Sequence, residues 1–253
     1  MRPPGSVGWV HPIERLRAVA RAREVDQALL AREAAAVLGA FAGDLPGLVT
    51  SCRRLIDRHP TAGARWWACA RLLAAGDVRA EARVIGDDLR DEPAVTALSL
   101  DLPDGAIVAV VPDVAGGSEL AYELNGWRDD LVVVHDPGAL HAARDEPRVL
   151  LVEAGAAGPD RFVAPEGTAD EIAAARDAGV PVWLVVDVGR RLPPGLFDAL
   201  VARAAAAAAP GAAAGAWSPA VEVVRAGEVE RVVEPRHIDC PVPPELLRSP
   251  GGR

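Results

Sequence analysis

Two uninterrupted apolar segments in the second half of the chain constrain its fold most strongly. Residues 149–152 and 182–186 are runs of branched apolar side chains without polar alternation. Such runs are typical of strands that are covered on both faces of a parallel sheet. Between them, Thr168 or Asp170 can cap a helix over residues 171–178, and a glycine and a proline follow that helix. This order predicts a strand–helix–strand unit of a parallel sheet.

Acidic residues directly follow both predicted strands. Glu153 comes after the first run and Asp187 after the second. Because ligands of parallel sheets bind beside the carboxyl ends of the strands, we predict that these two carboxylates lie together at one edge. Two neighbouring carboxylates raise one of their pKa values and can act as an acid–base couple. Alternatively, each caps a loop or pairs with Arg161, Arg190 or Arg191.

The first part of the chain has the periodicity of helices alone. Apolar residues recur at helical spacing, and Asp44 and Asp77 are positioned to cap two of the helices. Trp66 and Trp67 are expected in the core of the resulting bundle. Loops of two to five residues suit antiparallel neighbours. The predicted helices cover residues 11–23, 24–41, 45–58, a segment between residues 63 and 76, and residues 78–90.

From residue 103 the periodicity changes to strands that alternate with short helices. Strands are predicted over residues 106–111, 131–134, 148–152 and 182–186, with residues 221–224 as a candidate last strand. Helices are predicted over residues 118–124 and 196–209, and residues 227–233 fit either a helix or a strand. The alternation predicts an α/β domain with a parallel core. We therefore divide the chain into a helical domain, 1–100, and an α/β domain, 101–253, with a proline-rich tail on the surface.

Composition excludes several functional classes. All 27 basic residues are arginine, so Schiff-base catalysis, a pyridoxal-phosphate site and a Walker A loop are excluded, since each needs a lysine. The net charge of −9 disfavours a nucleic-acid partner, which usually needs a basic face. No apolar run is long enough to span a membrane and no signal peptide is recognisable. We expect a cytoplasmic protein without a cofactor.

The cysteines do not indicate a disulfide framework or a metal site. Cys52 and Cys69 fall within helical patterns, where buried positions are expected. His237, Asp239 and Cys240 have ligand-type side chains close together, but they lack the paired spacing of zinc sites. No metal is therefore predicted.

The residues around the predicted strand–helix–strand unit also resemble a known family. Glu153-Ala154-Gly155 ends the first strand, Gly167-Thr168 precedes the helix, and Gly-Val-Pro at 179–181 leads into the second strand. This spacing resembles the translation initiation factor 2B alpha/beta/delta family and the related methylthioribose-1-phosphate and ribose-1,5-bisphosphate isomerases. The resemblance implies an N-terminal helical bundle, a Rossmann-like parallel-sheet domain of the NagB/RpiA/CoA-transferase type, a homodimer, and a phosphorylated small molecule as ligand.

The chain departs from the family at the positions that perform its chemistry. The family strand ends in Gly-Ala-Asp, and its catalytic aspartate corresponds here to Gly155. The family's Asn-Lys pair, implied to contact sugar phosphate, falls near Ala164-Pro165, and the partner cysteine of the isomerases is missing. Aldose–ketose isomerisation needs a group that moves a proton and a cradle for phosphate. The departures imply a non-catalytic binding or regulatory protein.

Several residues are candidates for binding a ligand, each with a simpler alternative. Backbone amides of Gly116-Gly117-Ser118 can cradle a phosphate at a helix N-terminus, or the segment is a turn with Ser118 as cap. Arg190 can bind a phosphate in bidentate fashion, or it is a solvated side chain. The complete predicted ligand-binding set is Gly116, Gly117, Ser118, Gly155, Gly167, Thr168 and Arg190.

Two other functions compete with the non-catalytic one. The first is a sugar-phosphate isomerase in which Glu153 and Asp187 replace the missing aspartate as catalytic residues. The second is a structural protein whose acidic surface and helical domain bind another protein.

Overall fold

The computed structural model of the chain describes residues 26–90, 93–113, 119–134, 136–141, 146–209, 220–234 and 236–247. Over these ranges the chain has an α/β fold, as predicted: helices come first, and strands mixed with helices follow. None of the helices in these ranges is both long and apolar enough to cross a lipid bilayer.

Four helices form the first part of the described chain: α1 (Gln27–Leu38), α2 (Leu45–Arg58), α3 (Gly63–Ala74) and α4 (Val78–Asp88). Asp44 and Asp77 accept backbone N–H groups in the first turns of α2 and α4, so both predicted caps are confirmed. Asp26 caps α1 in the same way. Trp66 and Trp67 of α3 are fully buried, as expected of the core of the bundle. The helix predicted over residues 11–23 lies outside the described residues.

Eight strands are described: β1 (Ile107–Val111), β2 (Val132–Val134), β3 (Arg148–Glu153), β4 (Ala156–Ala157), β5 (Arg161–Pro165), β6 (Val182–Val185), β7 (Val221–Arg225) and β8 (Arg231–Val233). Five of them form a parallel sheet in the order β2-β1-β3-β6-β8. The central strands β1, β3 and β6 are apolar and largely buried, which is why their sequences lack alternation.

The other three strands form a small antiparallel sheet in the order β4-β5-β7. The predicted strand–helix–strand unit is present as β3, the helix Thr168–Asp177 and β6, but a hairpin of β4 and β5, which was not predicted, lies between β3 and that helix. Residues 221–224 also belong to this sheet and not to the parallel one. The hairpin turns at Gly158, Pro159 and Asp160, where the Gly158 amide donates to the Arg161 carbonyl oxygen at 2.8 Å. These turn residues indicate a hairpin, but the two strands are too short to show a clear alternation.

The remaining helices are α5 (Pro93–Asp101), α6 (Glu119–Trp127), α7 (Thr168–Asp177), α8 (Pro194–Ala208) and α9 (Pro244–Leu247). Helix α5 was not predicted, since its apolar residues follow no clear helical face. The predicted caps of α7 are also wrong. Its N-cap is Gly167, with φ of 95°, a conformation that favours glycine. The Thr168 hydroxyl instead donates to the carbonyl oxygen of Pro165 at 2.7 Å.

The helices pack across the predicted boundary at residue 100. Leu196 and Phe197 of α8 and Leu246 of α9 belong to the same buried cluster as Trp66 and Trp67. The buried side chains of α5, in contrast, pack against β1 and β3 of the parallel sheet. The division into two domains remains a prediction. The shared core nevertheless holds α1 and α3 against the carboxyl edge of the sheet.

Candidate functional site

The predicted pair of acids lies at the carboxyl edge of the parallel sheet. Glu153 is the last residue of β3 and is buried, and Asp187 follows β6 in the loop beyond Val185. Together with Arg190, both residues line one small cavity of about 40 Å³. Parallel strands β3 and β6 are neighbours, so their carboxyl ends bring the two side chains to the same place.

Arg190 is the central cation of this edge. It is only 5% exposed, and its Nη1 lies 3.1 Å from Asp113 Oδ2 and 3.9 Å from Glu153 Oε1. The same nitrogen donates to the Ala154 carbonyl oxygen at 3.0 Å. Burial alone would lower the pKa of this guanidinium, but the carboxylates of Asp113, Glu153 and Asp187 raise it above its ordinary value. Arg190 therefore stays charged and neutralises the acids around it.

Side chains of the helical bundle complete the network. Gln27 of α1 donates from Nε2 to Asp113 Oδ2 at 2.9 Å, and Asp26 Oδ2 lies 4.0 Å from Arg190 Nη2. Arg65 of α3 is a second buried cation. Burial lowers the pKa of Arg65 to about 10, and the carboxylates of Asp113 and Asp26 oppose this shift. The network thus connects α1 to the sheet, and the Arg65 guanidinium of α3 is buried near it.

Four residues of this network were not predicted from the sequence: Asp26, Gln27, Arg65 and Asp113. Asp113 follows β1 at the same distance as Asp187 follows β6, so the carboxyl-edge argument could have found it. Gln27 and Arg65 have no such signal, because their roles depend on how the bundle docks on the sheet. Among the residues that the structure describes, the cluster contains the acids Asp26, Asp113, Glu153 and Asp187 and the bases Arg65 and Arg190.

Gly155 lies where the family resemblance places a catalytic aspartate. It is buried, and its amide donates to the Val163 carbonyl oxygen at 2.8 Å. Its own carbonyl oxygen accepts from the amide of Gly63, the first residue of α3, at 3.0 Å. A Cβ atom on Gly63 would lie 2.8 Å from that oxygen and 2.9 Å from Ala156 Cβ. The bundle therefore sits directly on this part of the edge.

The other predicted ligand-binding residues lie elsewhere. Gly167 and Thr168 begin α7, and the adjacent Ala169 amide donates to Glu222 Oε1 at 2.7 Å. A carboxylate of the chain thus occupies the position that an anion would take at this helix N-terminus. Gly116, Gly117 and Ser118 lie outside the described residues, so their predicted role stays a prediction.

The tail residues with ligand-type side chains are held by other groups. His237 Nδ1 lies 3.0 Å from Glu234 Oε1, and the same carboxylate pairs with Arg191. Among the residues that the structure describes, no three His, Cys, Asp or Glu side chains are arranged to hold a metal ion. The partly buried thiol of Cys240 has its pKa raised to about 12, because desolvation disfavours the thiolate more than Arg71 favours it.

We expect Cys240 to react slowly with alkylating reagents. With a pKa of about 12, its thiolate fraction at about pH 8 is roughly a thousandfold below that of an ordinary cysteine. Iodoacetamide labelling followed by peptide mass spectrometry, in native buffer and in urea, measures the difference. Comparable labelling rates in native buffer and in urea would contradict the conclusion that the fold shields the Cys240 thiol.

Comparisons with solved structures reveal the same fold in two groups of proteins. The translation initiation factor eIF-2B of Pyrococcus horikoshii OT3 superposes with a TM-score of 0.61 at 12% identity, over 88% of this chain and 94% of that one. The beta subunit of eIF2B from Chaetomium thermophilum superposes with a TM-score of 0.58 at 14% identity, over 88% of this chain and 83% of that one. The 5-methylthioribose 1-phosphate isomerase of P. horikoshii OT3 superposes with a TM-score of 0.55 at 16% identity, over 93% of this chain and 85% of that one.

These likenesses confirm the predicted resemblance at the level of the fold. No protein-family model and no curated sequence matches the chain. Because initiation-factor subunits and an isomerase share this fold, it fits both a regulatory and a catalytic function. The choice between them depends on the residues at the carboxyl edge.

Proposed function

We propose that this chain, built on the fold of initiation factor 2B subunits, is a non-catalytic binding or regulatory protein. One observation supports the proposal above all: the carboxyl edge of the sheet is filled by an ion-pair network of the protein's own side chains. Arg190 contacts Asp113, Glu153 and the Ala154 carbonyl oxygen, so its donors face the protein. In this proposal the network is a structural connection between the bundle and the sheet.

The size of the cavity at the edge supports the same function. Its volume of about 40 Å³ has room for one or two water molecules. Pockets that bind small molecules usually measure about 300–1,000 Å³. A sugar phosphate in this cavity would have to displace the surrounding side chains of α1, α5 and α6 and compete with carboxylates for Arg190.

The predicted ligand and assembly remain part of the proposal. A phosphorylated small molecule is the ligand class that the family resemblance implies, with Gly116-Gly117-Ser118 as its predicted contact. A homodimer is likewise proposed from the resemblance, and the cytoplasmic location stays a prediction. Light scattering coupled to size-exclusion chromatography tests the dimer.

Calorimetry and a turnover assay test the non-catalytic function. The purified protein is titrated with ribose 1,5-bisphosphate, methylthioribose 1-phosphate and a set of nucleotides, and each mixture is then analysed for isomerised product. We expect no turnover with any of them. Tight binding accompanied by product formation would remove the non-catalytic part of the proposal.

A second candidate is a sugar-phosphate isomerase that uses Glu153 and Asp187. The observation in its favour is that both carboxylates line the same cavity with Arg190. If a substrate is turned over, Glu153→Gln should lower kcat by about 10²–10⁴-fold, since a positioned acid–base group contributes that much. The exposed Glu166→Gln is a matched control and should leave kcat unchanged. Activity that survives Glu153→Gln would exclude this catalytic pair.

A further inference from the structure

A second, much larger concavity lies on the helical bundle, between α1 and α4. Its volume is about 720 Å³, and we call it the α1–α4 groove. Its lining residues are Arg32, Glu33, Ala36, Gly39, Ala40, Arg79, Ala82, Arg83, Gly86, Asp87 and Arg90. The small residues form its floor: a Cβ atom on Gly39 would lie only 2.9 Å from Ala82 Cβ, so the two helices approach closely there. The longer side chains form the rims.

The rims of the groove are basic on a chain that is otherwise acidic. Four arginines and two acids line it, whereas the whole chain has a net charge of −9. Arg79, Arg83 and Arg90 are exposed. Among the lining residues that the structure describes, Arg90 pairs with Asp87 at 2.6 Å, and this pair is largely solvent-exposed and therefore weak. The groove thus presents a local excess of positive charge above an apolar floor.

We propose that the α1–α4 groove binds an acidic helix of a partner protein. Arg79 and Arg83 lie one turn apart on α4, and Arg90 follows two residues after the end of that helix; all three line the groove. Eleven residues of helix span about 16 Å, or three turns. A partner helix of that length can lay a ridge of small apolar residues on the floor and place one carboxylate per turn against the arginines. This inference is independent of the proposed function.

Segments of this chain are poor occupants of the groove. The stretch before α1, residues 1–25, contains more arginine than acid: Arg2, Arg15, Arg17, Arg21 and Arg23 against Glu14 and Glu24. Residues 248–253 contain two arginines and no acid. A second copy that docked by two-fold symmetry would place one basic groove against another, which is electrostatically unfavourable. A partner protein with an acidic surface, in contrast, is electrostatically attracted to the groove.

Fluorescence anisotropy with a model peptide tests the proposal. The probe is a labelled, alanine-rich helical peptide of about 15 residues with glutamate at every fourth position, and the comparison peptide has glutamine there. We expect the full-length protein to bind the glutamate peptide at about 50 mM salt, more weakly as salt rises, and to bind the glutamine peptide at least about tenfold less tightly.

Charge reversal locates the binding site. The double variant Arg79→Glu/Arg83→Glu should weaken binding of the glutamate peptide by about tenfold or more. The control Arg54→Glu/Arg225→Glu changes the net charge equally at two exposed positions outside the groove and should keep the affinity of the wild type. Ala40→Glu adds a carboxylate inside the groove and should also weaken binding, which provides a second, independent variant. Circular dichroism verifies that all variants are folded.

Three outcomes would overturn the proposal. The first is that the glutamate peptide does not bind at low salt, or that the control variant loses as much affinity as the groove variant. The second is that millimolar inorganic phosphate displaces the peptide at constant ionic strength, which would indicate a site for a small anion. The third is that Arg79→Glu/Arg83→Glu changes the oligomeric state in light scattering, which would make a second copy the occupant.

Discussion

Replacing Arg190 with methionine is expected to lower the free energy of unfolding by about 3–5 kcal/mol. Methionine preserves much of the volume but removes the positive charge from the centre of the edge. Asp113 and Glu153, which are 3% and 7% exposed, would then remain buried without the guanidinium that neutralises them. Urea denaturation of the wild type and of Arg190→Met, followed by circular dichroism, measures the difference.

Two further variants test whether the loss of stability comes from the network itself or from the removal of any arginine. Arg176→Met removes an ion pair with Glu228 in which both side chains are about half exposed, and it should cost only about 0–1 kcal/mol. Asp113→Asn in the Arg190→Met background removes one of the buried carboxylates that Arg190 contacts and should restore part of the stability. If Arg190→Met and Arg176→Met have equal effects, the ion-pair network does not hold the bundle to the sheet.

Gly63→Ala is expected to destabilise the fold by about 1–3 kcal/mol through overpacking. The new methyl carbon would lie 2.8 Å from the Gly155 carbonyl oxygen and 2.9 Å from Ala156 Cβ, and the backbone atom among these contacts cannot move by a simple rotation. An alanine ordinarily favours a helix by about 0.5–1 kcal/mol, so a net loss would come from the contact with the edge. Thermal and urea unfolding measure it.

Gly76→Ala is the matched control for this substitution. A Cβ atom on Gly76 would meet no atom within 4 Å, so the variant should be as stable as the wild type or slightly more stable. If Gly63→Ala behaves like Gly76→Ala, then α3 can withdraw from the edge at little cost. In that case the edge could open to admit a ligand, and the proposed non-catalytic function would lose support.

The parts of the fold that were predictable are those that local sequence determines. The buried strands β3 and β6 were predicted from uninterrupted apolar runs, and the caps Asp44 and Asp77 from their position before helical periodicity. The hairpin of β4 and β5 was missed because a two-residue strand has no detectable period. Its partner β7 was predicted as a strand, but it lies more than 50 residues further along the chain, so the sequence did not indicate which sheet it joins.

The site was predictable only in part, for a related reason. Glu153 and Asp187 were placed at one edge because parallel strands order their carboxyl ends. The bond from Gln27 to Asp113 joins residues that are 86 positions apart, and only the docking of the bundle on the sheet brings them together. Whether a charged residue such as Arg190 faces solvent or other side chains depends on that docking too.

The shared core of α8, α9 and the bundle couples the stability of the two ends of the described chain. Phe197 and Leu246, from the last quarter of the chain, pack in the same cluster as Trp66. Neither end of the described chain can therefore melt without uncovering apolar surface on the other. This arrangement couples the unfolding of the first and last segments. A destabilising substitution in the C-terminal tail therefore also weakens the packing of the helices at the beginning of the chain.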